Sequence, residues 1–155
     1  MQIRFAVIAF GLLAIFVNVW SAPTASAQTP GSLDTSFGGV GFVSTAVSNG
    51  AGDDRARAMM LQPDSKIVVA GSCDNNFCLV RYHADGTLDS SFGTGGRVNE
   101  TRAGTTVTAF GAVLQPDGKI VVVGNCIVSL TSTMCAARFM PDGSLDTGFG
   151  TSAGW

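Results

Sequence analysis

Four cysteines stand in two pairs, Cys73 with Cys78 and Cys126 with Cys135, spaced C-x4-C and C-x8-C. Paired thiols serve two chemistries: disulfide formation in an oxidising compartment, or tetrahedral zinc binding. A zinc knuckle sets two cysteines two residues apart so that both sulfurs reach one ion, and neither pair has that spacing. Two disulfides are therefore expected. Four cysteines allow three connectivities. Cys73–Cys78 with Cys126–Cys135, the favoured set, staples each strand pair to itself; Cys73–Cys126 with Cys78–Cys135 would clip neighbouring units together.

The other polar groups point to structure more than to reaction. Asp85-Gly86-Thr87-Leu88-Asp89 and Asp142-Gly143-Ser144-Leu145-Asp146 share the oxygen-rich opening of a calcium loop. An EF-hand needs further oxygen ligands and a distal glutamate, which neither stretch supplies. Asp and Gly bend the chain, and a following Asp accepts nearby backbone N–H groups, so both stretches read as turns. Arg81 and Arg138 each stand eight residues before Asp89 and Asp146, a spacing suited to an ion pair tying a strand to its turn. Phe37, Phe92 and Phe149 are expected to plug the core beneath these turns. His83 is the sole histidine, and its counterpart in the second copy is Met140. It has neither a positioned nucleophile nor an orienting acid, and no G-x-S-x-G motif accompanies it. The strings "GGVG" and "GTGG" lack the G-x-G-x-x-G spacing of a phosphate-binding turn. No catalytic residue, cofactor or metal is expected.

These residues must be positioned by a unit that is written twice. "LQPDSKIVVAGSC" (61–73) returns as "LQPDGKIVVVGNC" (114–126), and "GSLDTSFG", "GTLDSSFG" and "GSLDTGFG" begin at Gly31, Gly86 and Gly143. Periods in this range belong to propellers, solenoids and arrays. Within the unit, "KIVVVGN" from Lys119 is apolar on both faces, as a central buried strand is. "FCLVRYH" from Phe77 and "MCAARFM" from Met134 are the next strands. "QPDGK" is a tight hairpin in which Gly118 is free to adopt positive φ; Ser65 holds that position in the first copy, at a cost of about 1 kcal/mol if left-handed. With a strand before "GG-V" and another at "ARAMMLQ" or "AFGAVLQ", each unit has about four short strands, the pattern of a propeller blade. A single catalytic centre has no use for the same residues in every unit, so the repetition itself favours a scaffold.

The second copy is four residues longer, all between its cysteines, where "DNNF" becomes "IVSLTSTM". An even insertion split across a hairpin tip keeps every side chain on its face. The expected register sets Cys73 opposite Cys78, Gly71 opposite Val80 and Val69 opposite Tyr82, with Cys126 opposite Cys135, Gly124 opposite Ala137 and Val122 opposite Phe139.

"LQPDGKIVVVG…RFMPDGSLDTGFG" resembles the delta-60 repeat family, bacterial exported β-propeller-like repeats that are usually uncharacterised. The resemblance rests on Leu61 to Asp64, Lys66 to Gly71, Arg81-Tyr82 and Asp85 to Gly93. It returns at Leu114 to Gly124, Arg138-Phe139 and Pro141 to Gly150. It implies an all-β fold of propeller-type blades of short antiparallel strands: a partial unit at 31–40, then units at about 41–93 and 94–150. The family usually strings together more repeats than these.

Residues 1–27 read as a signal peptide: Arg4, the apolar run Phe5–Trp20, then "SAPTASA" ending in an A-x-A cleavage pattern. Residues 28–155 are the repeat domain, secreted or periplasmic. Retention of Phe5–Trp20 as an anchor is the alternative, and only that would bring a membrane in as partner. Without Arg4, 8 basic residues face 11 acidic ones, with no basic cluster to hold nucleic acid. Twenty glycines and a single glutamate, Glu100, also speak against long helices. The functional expectation is a non-catalytic exported module, scaffold or binding in role, whose partner is a protein or glycan not named by the sequence. The loop tips Asp74–Phe77 and Ile127–Met134 are the places to look for contacts. A carbohydrate-binding or carbohydrate-acting propeller is the rival, for which only Tyr82, Trp155 and the turn aspartates are on offer. Two units are few for a propeller, so the chain is expected to be a fragment of a longer repeat protein, to complete blades by self-association, or to stand alone on its disulfides.

Overall fold

A computed structural model describes residues 29–48 and 52–155. The leader expected at 1–27 lies outside the described residues. Residues 33–155 form one unit. Of the preceding residues, Ser32 closes a turn by donating from its N–H and its Oγ to the Thr29 carbonyl.

The described chain is all-β. Strands β1 (Asp54–Leu61), β2 (Ile67–Cys73), β3 (Asn76–Tyr82) and β4 (Arg97–Glu100) form one antiparallel sheet in that order. Strands β5 (Thr105–Leu114), β6 (Ile120–Val128) and β7 (Thr131–Phe139) form a second. Valine and isoleucine crowd β2 and β6, each paired on both edges, because branched side chains pack well on a pleated surface. Between the sheets lies one core, with Met60, Val68, Ala70, Phe77 and Leu79 from the first and Val107, Ile120, Val122, Ala137 and Phe139 from the second. The sheets are also bonded directly: Ala109 N–H donates to Ser72 Oγ (2.6 Å), and Val107 N–H to the Asn75 carbonyl (2.7 Å).

Three expectations need correction. The hairpin register is displaced by two residues, so that Gly71 faces Cys78, Val69 faces Val80 and Ile67 faces Tyr82. In the second sheet Gly124 faces Cys135, Val122 faces Ala137 and Ile120 faces Phe139. The reason lies at the tips. Asp74-Asn75 and Ser129-Leu130 all take positive φ, so each two-residue turn sits one residue earlier than the expected register would place it, at Asn75-Asn76 and Leu130-Thr131. A shift of two preserves the faces, so the inward and outward sets are unchanged. Second, the short fourth strand follows Gly95-Gly96 as Arg97–Glu100; the stretch before those glycines is wound into turns, with Leu88 making only an isolated bridge to Tyr82. Third, the four-strand unit is realised only in the first sheet; among the described residues the second has three strands and the leading segment has none.

Each sheet carries a bulge at the same place, between Ala56 and Ala58 and between Ala109 and Gly111. Gly71 and Gly124 lie opposite these bulges. A β-carbon there would strike the carbonyls of Arg55 and Thr108, so the close approach of the bulged strand requires glycine.

Residues Phe37–Val47 run across the far face of the first sheet. Gly38 N–H donates to the Asp85 carbonyl (2.8 Å), Tyr82 Oη to Thr45 Oγ1 (2.8 Å), and Arg97 Nε to the Ala46 carbonyl (3.0 Å).

Candidate functional site

The densest polar constellation gathers where β3 meets its following turn. Asp89 Oδ2 accepts from Arg81 Nε (2.7 Å) and lies 3.1 Å from Lys66 Nζ; Asp89 Oδ1 accepts from Ser91 Oγ (2.6 Å) and the Ser91 N–H (3.1 Å). Arg81 and Asp89 are both buried, 6% and 3% exposed. The guanidinium also donates from Nη1 to the Pro141 carbonyl (2.6 Å) and from Nη2 to Ser91 Oγ (3.1 Å), and it lies 4.5 Å over the Phe92 ring. His83 stands at the rim, with Nε2 3.8 Å from Asp89 Oδ1. The second copy repeats the arrangement more openly: Arg138 Nε donates to Asp146 Oδ2 (2.8 Å), Lys119 Nζ is 3.0 Å away, and Arg138 lies 4.6 Å over Phe149.

The physical consequence is charge fixation. The Ser91 hydroxyl bond, helped by Lys66, the Ser91 N–H and Arg81, outweighs desolvation and holds the Asp89 carboxyl well below the usual carboxylate range. Lys119 first and then Arg138 hold Asp146 down in the same sense. A general base or acid at neutral pH needs a pKa near its working pH, and these carboxylates are driven the other way. Asp85 and Asp142 each accept the N–H and hydroxyl of the residue two on, Thr87 and Ser144, closing small turns that also lower their pKa. Gly86 and Gly143 take the positive φ of 84° and 89° that these turns require. Among the described residues, no three metal-ligating side chains come together.

The sequence signal for the lysines is their recurrence at one position of the repeat. Lys66 and Lys119 recur in "QPDxK" and add a second cation to each carboxylate. The reach of Arg81 to Pro141, which joins one unit to the next, leaves no trace in residue type or spacing.

Sulfur bonds join Cys73 to Cys78 and Cys126 to Cys135, with Cα separations of 5.7 and 5.9 Å. The partners sit diagonally across the strand pair. Each bond lies on the face of its sheet toward the preceding unit. Beyond it the tips differ. Beside the first, Asp74 and Asn75 help line a polar cleft of about 190 Å3 with Asp53, Arg55 and Arg57. At the second, Leu130 and Met134 are almost wholly exposed. A larger cleft of about 370 Å3 opens on the far face of the first sheet, between the Phe37–Val47 segment and β1–β2, and Met59, Ile67, Val69, Val80 and Tyr82 help line it. Trp155 lies elsewhere, stacked on Phe77 at 5.2 Å with Arg102 above it, so Tyr82 and Trp155 do not meet in one aromatic site.

Residues 62–92 and 115–149 match a family model described as a domain of unknown function (DUF5122) beta-propeller. The two matched stretches fall on the two repeats, so the chain carries a β-propeller-type repeat. No curated protein and no solved structure matches it.

Proposed function

We propose that this chain is an exported, non-catalytic repeat module of the delta-60 kind, which works as a scaffold or by binding. The observation that carries the reading is the duplicated Arg–Lys–Asp cluster. The groups best suited to chemistry occur in both units, are engaged in holding turns, and have carboxylates tuned away from proton transfer. The two disulfides fit an oxidising compartment, and the leader at residues 1–27 provides the route of export. Among the described residues no helix is long and apolar enough to cross a membrane.

Recognition of a protein or glycan falls to the hairpin tips, because they differ between units while the frame does not. The first offers charged and amide groups around Asp74-Asn75, the second an apolar tip at Leu130 and Met134. The test is to express the full chain with its leader, sequence the N-terminus of the exported product, and screen that product on a glycan array and against a hydrolase panel. Binding that is lost when Asp74-Asn75 or Leu130 and Met134 are replaced, with no turnover, supports the reading. Glycan hydrolysis would overturn it in favour of a carbohydrate-acting propeller.

A further inference from the structure

The two sheets carry the same repeat positions in opposite circumstances. On the first sheet the face toward the second is sealed: Met60, Val68, Ala70 and Phe77 are at most 8% exposed. Their counterparts one repeat on are Val113, Val121, Val123 and Met134. Of these, Val121 is half-buried and the others lie open, with Val113 56%, Val123 45% and Met134 97% exposed. The other faces show the converse. Ile120, Val122 and Ala137 of the second sheet are fully buried against the first, whereas their counterparts Ile67 and Val69 are half-buried and, with the buried Val80, line the 370 Å3 cleft beside the Phe37–Val47 segment. The described residues thus hold one such interface between the two sheets, an open copy of one half on the second sheet, and a copy of the other half on the first sheet that Phe37–Val47 cover only in part. Open apolar faces of this kind mark association surfaces.

We propose that a second copy of the chain docks head to tail, the open face of β5–β6–β7 in one copy meeting the cleft face of β1–β2–β3 in the next. This deepens the repeat-module reading and rests on it. The chemistry of the joint is that of the internal interface: branched aliphatic side chains and a methionine enter a hollow floored by Val69 and Gly71 beside a disulfide. Because the two patches differ, the contact is heterologous, and it closes as a ring or continues as a filament.

One seat is shared at this joint. Phe37 and Gly38 pack beside Gly86 as Phe92 and Gly93 pack beside Gly143, and each glycine N–H donates 2.8 Å to the next unit's Asp carbonyl. Phe149 is the third copy of that phenylalanine. In the assembly the Phe149 turn of the copy offering its open face takes the seat beside Gly86 of the copy offering its cleft, whose own Phe37 turn gives way.

The test is sedimentation velocity of the full-length exported chain over a range of concentrations, with Val123→Asp on the open face and Met59→Asp on the cleft face. Both residues are exposed, 45% and 69%, so folding is retained; the intact disulfide mass and the urea midpoint check this. Wild type is expected to associate, and each variant alone to lose at least about tenfold in affinity, as a charge in a desolvated contact does. An equimolar mixture of the two is expected to form a heterodimer and nothing larger, since each supplies one intact face. Phe37→Ala, which loosens the resident turn, is expected to tighten association. A wild type that is monomeric throughout, a mixture that fails to pair, or a Met59→Asp variant that associates as wild type does would each overturn the proposal. Weaker association of Phe37→Ala would contradict the shared seat. A folded monomer that binds a partner through its tips would sink this inference and leave the module reading standing. An associating chain that hydrolyses glycans would do the reverse.

Discussion

Arg81 and Asp89 show how one pair of residues can carry a local structure without carrying a reaction. Removing the Asp89 carboxylate leaves a guanidinium buried with too few partners, so Asp89→Ala is expected to cost about 3 kcal/mol in urea unfolding. Asp146→Ala, in the more open copy, is expected to cost less. The pH dependence has a definite sign. Both carboxyls titrate lower folded than unfolded, so their contribution is fully present above the unfolded value of about 4 and is lost as pH falls below it. The urea midpoint should therefore hold steady from pH 7 to about 5 and drop below about 4, and Asp89→Asn should flatten that drop. A midpoint that first falls on the alkaline side would show that other groups govern stability. The pairing of Arg with Asp could be read from an eight-residue spacing repeated twice. The lysine at each site is equally repeated, yet a turn lysine looks like a solvated charge until the fold brings it over the carboxylate.

The hairpin is the element that the sequence describes best and in one detail misdescribes. Strand identity, the QPDxK turn, and the faces follow from apolar runs and turn residues. The register does not, because it is set by which two tip residues form the turn, and Asp74, Asn75, Ser129 and Leu130 go left-handed where the neighbouring Asn75-Asn76 and Leu130-Thr131 were equally available. Leu130 is a residue that rarely does so, and no propensity argument would have placed it there. The QPDxK turn offers a matched pair of tests. Ser65 sits at φ 66° where Gly118 sits at 81°. Ser65→Gly is therefore expected to stabilise by about 1 kcal/mol and Gly118→Ala to destabilise by a similar amount, read as shifts of the urea midpoint at constant slope. Equal and opposite failure of both would mean that the turn relaxes freely. Gly124→Ala is a harsher change, since its β-carbon meets the bulged strand's backbone. It is expected to cost about 1–3 kcal/mol by overpacking.

At the scale of the molecule, the sequence announces a repeat, and the structure shows what repetition leaves undone. Two sheets share one core, and Arg81 of the first unit reaches the Pro141 carbonyl of the second, so the units are joined by packing and by a charged hydrogen bond. The positions that seal this joint on one sheet stand open on the other, which neither composition nor period reveals, since Val68-Val69-Ala70-Gly71 and Val121-Val122-Val123-Gly124 read alike. The central claim is that the repeated polar residues hold turns and units together and do not act on a substrate. The most direct measurement is a double-mutant cycle on Arg81 and Asp89, with urea unfolding and the glycan and hydrolase screens run on every corner. The account predicts that both single substitutions destabilise and that their coupling is about 0.5–3 kcal/mol, with tip-mediated binding intact in the folded variants. Variants that unfold as wild type does, yet lose a turnover that wild type displays, would contradict it.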